Sequence, residues 1–452
     1  RRRGPMLVLH AGDLLGPSVL STALKHRGAQ MIEALNALGV DAATFGNHEF
    51  DDRCRVLAQR IHESRFLWLS ANVAFPPEAE LAADRVARRR IVVVNGLRVG
   101  LFGLSLPMSP VPGCGDGVIT FHDPIEAARE AVDALTRDGA DVIIAVTHLP
   151  MAVDRALAEA LPAIDLIVGG HEHEPMDAKI GRTLITKAGA NAEALGVITV
   201  TVAKTRGKPE INARWTRRAV DPASVAPDPE MTRVLAPYAR ELEPFAAVIG
   251  RSAVPLDARE EVVREAESNL GNYVADAVRE AMRADAALIN GGAFRDDRII
   301  PAGPLTLGDV HTVLPFVNQL VTVRVTGAEL LAALENGVSL AGHKAGRFPQ
   351  VSGVRFAFTP HAAPGQRVIH ARVNDAPVEP ERAYTLATTD FLIRKNTMDG
   401  YTFPENAQER GGLLTEVVLE RIRMGSPIQP RVEGRIERVE AGPPTAPGSM
   451  RP

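Results

Sequence analysis

The sequence predicts a layered α/β protein with two domains, and three observations support this prediction. The chain has 452 residues, a length that indicates more than one domain. In the first half, apolar runs alternate with segments of helical periodicity, which favours a layered α/β domain. Near residue 219 a proline-rich stretch begins, and a second half with mixed helical and β patterns follows it. We therefore predict a first domain over 1–218, a linker and helix over 219–249, a second domain over 250–438 and a disordered tail over 439–452.

Strand patterns of the first half are apolar runs that end in turn or polar residues. They are MLVLHAGD (6–13), DAATFGNHE (41–49), RFLWLSAN (65–72), the hairpin IVVVNGLRVGLFG (91–103) with its Asn95-Gly96 turn, DVIIAVTH (141–148) and DLIVGGHEH (165–173). Helix patterns have apolar residues at helical spacing. They are AQMIEALNALG (29–39), which ends at a glycine, and DPIEAAREAVDALTRDG (123–139), which begins with acidic residues.

The second half begins with a helical segment that runs to about Ile249 and is interrupted by Pro237. Its further patterns mix helices with strands. They are ESNLGNYVADAVREAMRA (267–284), AALIN (286–290), NQLVTVRVTG (318–327) and ELLAALENG (329–337). This mixture predicts a second α/β domain.

Composition and charge exclude several function classes. Hydrophobic residues at 45% and charged residues at 23% indicate an ordinary globular protein, and a net charge of −4 gives no basis for binding nucleic acid or membranes. No apolar run approaches the ~20 residues that span a bilayer, and no signal peptide is visible. The first residue is Arg rather than Met, so we expect the natural beginning to lie upstream. Cys54 and Cys114 are either a pair or two free thiols.

Polar side chains follow the predicted strands of the first half. Those expected to bind metal are Asp13, Asn47, His148, His171 and His173. If the strands share one sheet, these groups meet at the edge where α/β sheets bind ligands. A carboxylate, an amide oxygen and three imidazoles suit Zn²⁺, Mn²⁺ or Co²⁺ better than Ca²⁺. His148 alone is ordinary, and GNHE and GGHEH are moderate signals by themselves, but the order GD, GNHE, TH and GGHEH predicts a metal site. Five histidines outside these motifs are interpreted as exposed: His10, His26, His62, His122 and His311.

This order of motifs resembles the calcineurin-like metallophosphatases, and within them the 5′-nucleotidases and UDP-sugar hydrolases. The resemblance extends into the second half, through REAESNLGNYVADA (264–277), NGGAFR (290–295), LPFVN (314–318), QVSG (350–353) and DGY (399–401). It implies a four-layer α/β/β/α metallophosphatase sandwich, followed by an α/β nucleotide-binding domain. It also implies two divalent metal ions, Zn²⁺, Mn²⁺ or Co²⁺, with Mg²⁺ as a further option.

The resemblance assigns roles to the residues of the GNHE region and its partners. Asp13 would bridge both metal ions, and Asn47, His148 and His171 would complete the site of one of them. His173 would serve the other ion. His48 would face the phosphate as a catalytic residue instead of binding metal. Asp51 would orient His48 and favour its charged form. Glu49 and Asp52 are interpreted as helix-start or surface carboxylates.

The resemblance also implies a nucleoside site in the second half. Its expected members are Arg264, Asn290, Gly292, Arg295, Phe316, Asn318, Phe391 and Asp399. Phe316 and Phe391 would sandwich the base, and Asp399 would accept hydrogen bonds from the ribose hydroxyls. The other interpretation of the two phenylalanines is core packing, which the residues alone favour.

Two departures from the family pattern are visible. The family begins with Asp-x-His on its first strand, and no such motif precedes Asp13 here. We therefore expect the sequence to be truncated, with its first strand missing. In DFLIRKNTMDGY (390–401), the gap between Phe391 and Asp399 is two residues longer than in the family pattern, and Thr397-Met398 replace two glycines.

The function that the resemblance implies is hydrolysis of nucleotide phosphoesters by a metal-bound hydroxide, with UDP-sugars and 2′,3′-cyclic nucleotides as further substrates. One alternative is a thiosulfohydrolase-like enzyme of sulfur oxidation. Another is a nucleotide-binding protein without catalysis, because Asp-x-His is missing. The expected partner is a small nucleotide, with no nucleic acid and no membrane span. The resemblance indicates a periplasmic or extracellular location. The oligomeric state is not predicted.

Overall fold

The computed structural model describes residues 4–24, 26–52, 54–75, 85–108, 111, 119–203, 210–221, 223–394, 397–404 and 409–440. The chain divides into two compact units, Arg1–Glu241 and Leu242–Pro452. The boundary falls within the segment predicted as linker and helix. The predicted tail lies, from residue 441 onward, outside the described residues. Among the described helices, none has the length and apolar character to cross a membrane.

The described strands and helices of the first unit include the predicted patterns and several elements that were not predicted. The strands are β1 (Leu9–His10), β2 (Ala42–Thr44), β3 (Leu67–Leu69), β4 (Val73–Ala74), β5 (Val86–Ala87), β6 (Arg89–Val94), β7 (Leu97–Ser105), β8 (Thr120–Phe121), β9 (Val142–His148), β10 (Leu166–Gly169), β11 (Pro175–Ile180), β12 (Thr183–Ala188), β13 (Ala194–Ala203) and β14 (Glu210–Ala219). The helices are α1 (Val19–Thr22), α2 (Ala29–Leu38), α3 (Cys54–Glu63), α4 (Pro124–Arg137), α5 (Met151–Ala160) and α6 (Pro229–Leu242), with Pro237 inside α6. Among the elements that were not predicted are α3, α5 and β11 to β14.

Two sheets form the centre of the first unit. One is parallel, in the order β1-β2-β3-β5. The other has the order β11-β12-β10-β9-β7-β6, with β12, β10, β9 and β7 parallel and antiparallel strands at both edges. The strands that carry the polar motifs therefore belong to two sheets, so the condition of one shared sheet is not met. The predicted hairpin over 91–103 is confirmed, with positive φ at Asn95 (51°) and Gly96 (77°).

The two sheets stack face to face between two layers of helices. Ala42 and Leu69 of the first sheet share a buried cluster with Leu101 and Ile144 of the second. The outer face of the first sheet packs on α2 and α3, and the outer face of the second packs on α4 and α5. This arrangement confirms the α/β/β/α sandwich. Strand β1 is shorter than predicted, because only two residues pair with β2, and it is half-buried instead of buried.

The second unit is also α/β. Its described strands are β15 (Val248–Ser252), β16 (Leu256–Asp257), β17 (Ala286–Asn290), β18 (Ile299–Ile300), β19 (Gly303–Thr306), β20 (Gln319–Thr326), β21 (Pro349–Ser352), β22 (Val354–Phe358), β23 (Val368–Val373), β24 (Ala376–Pro377), β25 (Ala383–Thr389), β26 (Glu409–Leu413) and β27 (Ile436–Arg438). Its helices are α7 (Glu260–Val263), α8 (Asn269–Ala281), α9 (Leu307–Val313), α10 (Gly327–Val338) and α11 (Leu414–Gly425).

A mixed sheet in the order β21-β17-β25-β20-β26 is the centre of this unit. Alternate residues of β17 point to opposite faces, as the period of a strand requires. Ala287 and Ile289 pack with α8, α9 and α11, whereas Ala286 and Leu288 pack with α10 and β22. A smaller sheet, β24-β23-β22-β27, covers the second of these faces. The structure thus confirms a second α/β domain.

Candidate active site

The polar loops after β1, β2, β9 and β10 meet at one place in the first unit. His148 Nε2 lies 3.0 Å from Asp13 Oδ2, and the backbone N–H of His48 donates to Asp13 Oδ1 at 2.9 Å. The rings of His148 and His171 are in edge contact, with centroids 5.2 Å apart. Strands β9 and β10 are parallel neighbours, so their carboxyl ends bring His148 and the loop after Gly169 side by side. Residues from both sheets therefore share one site.

Glycine is required where these loops touch. A Cβ at Gly46 would lie 2.1 Å from Asp13 Oδ1, and a Cβ at Gly12 would lie 2.6 Å from His148 Nδ1. Both distances are shorter than any side chain tolerates. Asp13 (φ 56°) and His171 (φ 81°) adopt left-handed backbone conformations that non-glycine residues rarely occupy. Such strain persists only where the surrounding contacts enforce it, and it is concentrated at functional sites.

Glu49 joins the GNHE loop to the Gly-Asp loop. It lies in the first turn of a short 3-10 helix, His48–Phe50, as a helix-start carboxylate does, but it is buried, so its interpretation as a surface carboxylate was wrong. Its side chain is 2% exposed and accepts the backbone N–H groups of Asp13 (2.8 Å), Leu14 (2.7 Å), Leu15 (3.0 Å) and Gly46. Burial, and then the Asp13 carboxylate, raise the pKa of Glu49 above its ordinary value. No local pattern marks this role, because its partners are mostly in another loop.

His48 and Asp51 form a contact within the same loop. The Nδ1 atom of His48 lies 2.6 Å from Asp51 Oδ2, which makes it the donor of that hydrogen bond. The His48 side chain is 9% exposed, and that of Asp51 is 36% exposed. The carboxylate therefore fixes the orientation of a nearly buried imidazole beside Asp13. The catalytic roles of both residues stay predictions.

The pKa shifts around Asp13 favour an ionised Asp13 and neutral His171 and His10, whereas the pKa of His148 is raised. Burial would raise the pKa of Asp13, but His148 and His48 lower it well below its ordinary value. Burial opposes protonation of His148, yet the Asp13 carboxylate raises the pKa of His148. Burial, and then His148, lower the pKa of His171 and of His10 to about 4 each. Ionised carboxylates and neutral imidazoles are the forms that bind metal ions.

Two of the histidines interpreted as exposed are not. His10 lies at the end of β1 with its Nδ1 atom buried and without a hydrogen-bond partner in the described part of the chain. His311 is half-buried and packs edge-on against Phe245. His26, His62 and His122 are exposed. The proximity of His10 to Asp13 and His148 could not be read from its position three residues before Asp13.

The donor atoms of this site fit a divalent metal ion. Asn47 is 5% exposed, and its Oδ1 atom has no hydrogen-bond partner among the residues that the structure describes. The Nδ1–H group of His148 donates to the carbonyl of Ala11 at 2.7 Å, which directs Nε2 toward Asp13, the orientation that a metal ligand would need. Within the described ranges, however, no group of three or more His, Cys, Asp and Glu side chains has an arrangement that could hold a metal ion. His173 is half-buried two positions after His171.

Asn47→Ala should weaken metal binding by more than tenfold, because it removes a buried oxygen that has no other partner among the described residues. Loss of groups that only support a ligand typically costs about 10–100-fold in metal affinity, so loss of a ligand should cost at least that. The measurement is a competition titration of Zn²⁺ or Mn²⁺ with a chelator. Asn212→Ala, which changes an exposed amide on β14, is the matched control. Unchanged metal affinity of Asn47→Ala would remove Asn47 from the ligand set.

A buried ionic cluster supports the GGHEH loop. Lys187 Nζ lies 2.9 Å from Asp154 Oδ2, donates to the carbonyl of Gly170 at 2.8 Å and also contacts Glu172. The side chains of Lys187 and Asp154 are fully buried. Burial raises the pKa of Asp154 to about 6, although Lys187 opposes this shift. Sequence reasoning missed this cluster, since its members come from α5, β12 and the loop after β10.

The second unit brings several predicted substrate residues together. The Asn290 Nδ2 group donates to Asp399 Oδ2 at 2.6 Å, and both side chains are buried. Burial raises the pKa of Asp399, and Asn290, Arg347, Arg264 and Arg295 oppose this in that order. The Asp399 carboxyl group therefore contacts an amide and lies within the electrostatic influence of three guanidinium groups. Arg347 also belongs to the groups around Asp399, and it was not predicted from the sequence.

The remaining predicted substrate residues differ in their surroundings. A Cβ at Gly292 would lie 3.1 Å from Gly346, so this glycine permits a close backbone approach. The guanidinium of Arg295 lies over the ring of half-buried Phe316, 5.2 Å from its centroid. Phe391 instead packs against the core around α10. The carbonyl of Asn318 accepts the backbone N–H of Leu414, which ties it to the start of α11.

Comparisons with known proteins agree with this architecture. A family model for the calcineurin-like phosphoesterases matches residues 1–175, and one for the 5′-nucleotidase C-terminal domain matches residues 248–405. Protein 5NUC of Lutzomyia longipalpis is 30% identical, over 95% of this chain and 83% of that protein. The trifunctional nucleotide phosphoesterase protein YfkN of Bacillus subtilis is also 30% identical. That alignment covers 96% of this chain and 33% of the relative, so the chain spans a third of its length.

Solved structures show the same fold. A 5′-nucleotidase precursor from Thermus thermophilus superimposes with a TM-score of 0.88 at 32% identity, over 98% of this chain and 91% of that one. The sulfate thiohydrolase SoxB of the same organism superimposes with a TM-score of 0.78 at 23% identity, over 96% of this chain and 79% of that one. At that lower identity the likeness concerns the fold alone.

Stacked sheets with these polar loops define a metallophosphoesterase of the calcineurin-like class, which is a class of hydrolases that use divalent metal ions. Within that class, the chain belongs to the 5′-nucleotidase family, because both of the family's domains match and relatives of similar length are 30% identical or more. The family resemblance and the fold class predicted from the sequence are thereby confirmed.

Proposed function

We propose that this protein hydrolyses the phosphoester of nucleotides, with metal ions in the first unit and the nucleoside in the second. The observation that carries the proposal is the meeting of Asp13, His148 and the Asp51-oriented His48 at one point of the first unit. Relatives named 5′-nucleotidase and nucleotide phosphoesterase support the choice of substrate. UDP-sugars and 2′,3′-cyclic nucleotides are further substrates to test.

The residues of the first unit would have different roles. Asp13, Asn47, His148, His171 and His173 would hold the metal ions, for which Zn²⁺, Mn²⁺ and Co²⁺ are the expected species. Divalent cations at this place would act as Lewis acids on the phosphoryl oxygens.

His48 would donate a hydrogen bond to a phosphoryl oxygen, where negative charge increases in the transition state. Asp51 would hold the ring in place. Glu49 would hold the Asp13 backbone against the GNHE loop through its accepted N–H bonds.

The second unit supplies a site for the nucleoside. Asp399 would accept hydrogen bonds from the ribose hydroxyls, beside Asn290. The ring of Phe316 would stack on the base, and Arg264 and Arg295 would lie on the phosphate side. Phe391, Asn318 and Gly292 complete the proposed set. Because stacking tolerates every base, we expect broad base tolerance with a strict need for a ribose.

The proposed compartment is periplasmic or extracellular. Some relatives are named as snake venom 5′-nucleotidases. Cys54 is disulfide-bonded, and disulfides persist in oxidising compartments. Cys114, the other cysteine of the sequence, lies outside the described residues.

Phosphate release tests the proposed function, with Phe316→Ala as the informative variant. The variant should raise KM for AMP and UMP by about tenfold or more, because base stacking is worth ~1–3 kcal/mol. Hydrolysis of p-nitrophenyl phosphate should stay nearly unchanged, since that substrate does not use the pocket for the base and ribose.

Phe245→Ala, which changes another half-buried ring of the same unit, is the matched control. Equal loss on both substrates would mean that Phe316 is a packing residue. No phosphate release from any nucleotide by the unaltered chain with Zn²⁺, Mn²⁺ or Co²⁺ added would contradict the proposed function itself.

A further inference from the structure

Arg347 holds the loop that carries Asp399. One nitrogen of its guanidinium donates to the carbonyl of Met398 at 3.1 Å. The other donates to Ser339 Oγ at 3.1 Å and approaches Asn336 Oδ1 at 3.4 Å. Arg347 therefore connects the end of α10 to the backbone just before Asp399. A planar, forked cation suits this task, because it bonds several oxygens in fixed directions.

Neighbouring contacts extend the same attachment. The Asn336 Nδ2 group donates to the carbonyl of Asp399 at 2.8 Å, so two successive loop carbonyls are bonded from one side. The hydroxyl of buried Tyr401 donates back to the carbonyl of Arg347 at 2.6 Å. Gly400 turns the chain with φ 67°, and a Cβ there would lie 3.2 Å from Asn336 Oδ1. The backbone on both sides of the Asp399 side chain is thus restrained.

Charge adds to this restraint. Asp399 is 8% exposed, so its ionised form depends on nearby positive groups and hydrogen-bond donors. Burial raises its pKa, and Arg347 is the first of the three arginines that oppose this. The hydrogen bonds of the Arg347 guanidinium described above go to a loop carbonyl and to α10, and not to the Asp399 carboxylate. Arg347 therefore acts on Asp399 through position and charge and leaves its oxygens to other partners.

We propose that Arg347, together with Asn336, is a positioning residue that holds the loop 398–401 so that Asp399 faces the sugar of the bound nucleoside. The inference rests on the proposed function, because it assigns Asp399 to the ribose. It explains how a loop with Thr397-Met398 in place of two glycines is fixed in one conformation: the carbonyl of Met398 is bound by Arg347.

Equilibrium binding of two nucleosides to the full chain tests the proposal without need of activity. The probes are adenosine and 2′,3′-dideoxyadenosine, measured by calorimetry. The unaltered chain should bind adenosine more tightly, because only adenosine has the hydroxyl donors for Asp399. Arg347→Ala should weaken adenosine binding by about 10–100-fold, since hydrogen bonds to charged groups contribute about 1.5–3 kcal/mol. Its binding of dideoxyadenosine should change little, so the preference for the ribose hydroxyls should nearly vanish.

Arg347→Lys is the conservative variant. Its ammonium group keeps the positive charge and one contact to Met398, but it lacks the planar, forked donor geometry of the guanidinium. It should recover part of the preference for adenosine, and it remains informative if Arg347→Ala does not fold. Arg367→Ala is the matched control, since Arg367 donates to the carbonyls of Val338 and Ala362 instead of to this loop. That control should bind both nucleosides as the unaltered chain does.

Three results would overturn the inference. Arg347→Ala could keep the full preference for adenosine, which would show that the loop needs no support from Arg347. Arg347→Ala could weaken the binding of both nucleosides equally, which would show general damage to the pocket. If the unaltered chain binds neither nucleoside, the proposed function fails and the inference fails with it. In the first two cases the proposed function stands.

Discussion

His48→Ala should lower kcat for phosphoester hydrolysis by about 10²–10³-fold while the metal content stays unchanged. Removing one preorganised donor to a developing negative charge typically has an effect of this size. The ring is fixed for this task by the 2.6 Å contact between Nδ1 and Asp51 Oδ2. Metal binding should not change, because the backbone N–H group of His48, which bonds Asp13 Oδ1, is kept in the variant. Steady-state kinetics and metal analysis of the same preparation measure both quantities.

Two further variants make this experiment sharper. Asp51→Asn keeps the shape of the contact but removes its charge, so we expect a smaller loss of kcat than in His48→Ala. His62→Ala changes an exposed imidazole on α3 and should leave kcat unchanged. Loss of metal from His48→Ala would show that His48 is a ligand, and the division of roles within GNHE would then be wrong.

Lys187→Met should lower the free energy of unfolding of the first unit, by up to about 3–5 kcal/mol at a pH where Asp154 stays ionised without its partner. Breaking a buried ion pair from one side is costly, because it leaves the other charge buried without compensation. Here the side chain of Asp154 is fully buried and Glu172 is partly buried, and Lys187 is the cation that contacts both. Urea unfolding followed by circular dichroism measures the loss. Lys179→Met, which changes an exposed lysine on β11, is the matched control.

The loss in Lys187→Met should depend on pH in a defined direction. The pKa of Asp154 is raised to about 6 in the folded state, from an ordinary value of 3.8. A raised carboxyl pKa means that stability is lost as pH rises from the unfolded pKa through the folded pKa. Without Lys187 the folded pKa rises further, so this loss continues above pH 6.

The part of the deficit that comes from Asp154 should therefore be small near pH 5 and grow as the pH rises above 6. The part that comes from Glu172, whose pKa Lys187 lowers against the effect of burial, should already be present at pH 5. The double variant Asp154→Asn, Lys187→Met should recover much of the stability at neutral pH, because no buried charge remains on Asp154. A deficit that is the same at every pH would mean that Lys187 acts through packing alone.

Sequence patterns were sufficient for the strands and helices around the motifs and for the location of the polar loops. Alternation of strands and helices, and the Asn95-Gly96 turn, depend on the chemistry of neighbouring residues, which a sequence displays directly. The positions of Asp13, His48 and His148 directly after strands predicted loops that meet, and these three residues do meet. The order of the motifs was also enough to recognise the family.

Tertiary structure decided which sheet each strand joins and which groups support the site. The motif strands lie in two stacked sheets, because pairing depends on partners distant in sequence. Glu49 bonds the backbone of Asp13, 36 positions away, and Arg347 bonds the backbone of Met398, 51 positions away. A buried charge such as Lys187 is stable only beside partners brought there by the fold. The sequence by itself thus determined the elements that carry the motifs, the polar loops and the family. Burial and long-range pairing, which exist only in the folded chain, decided what holds those loops in place.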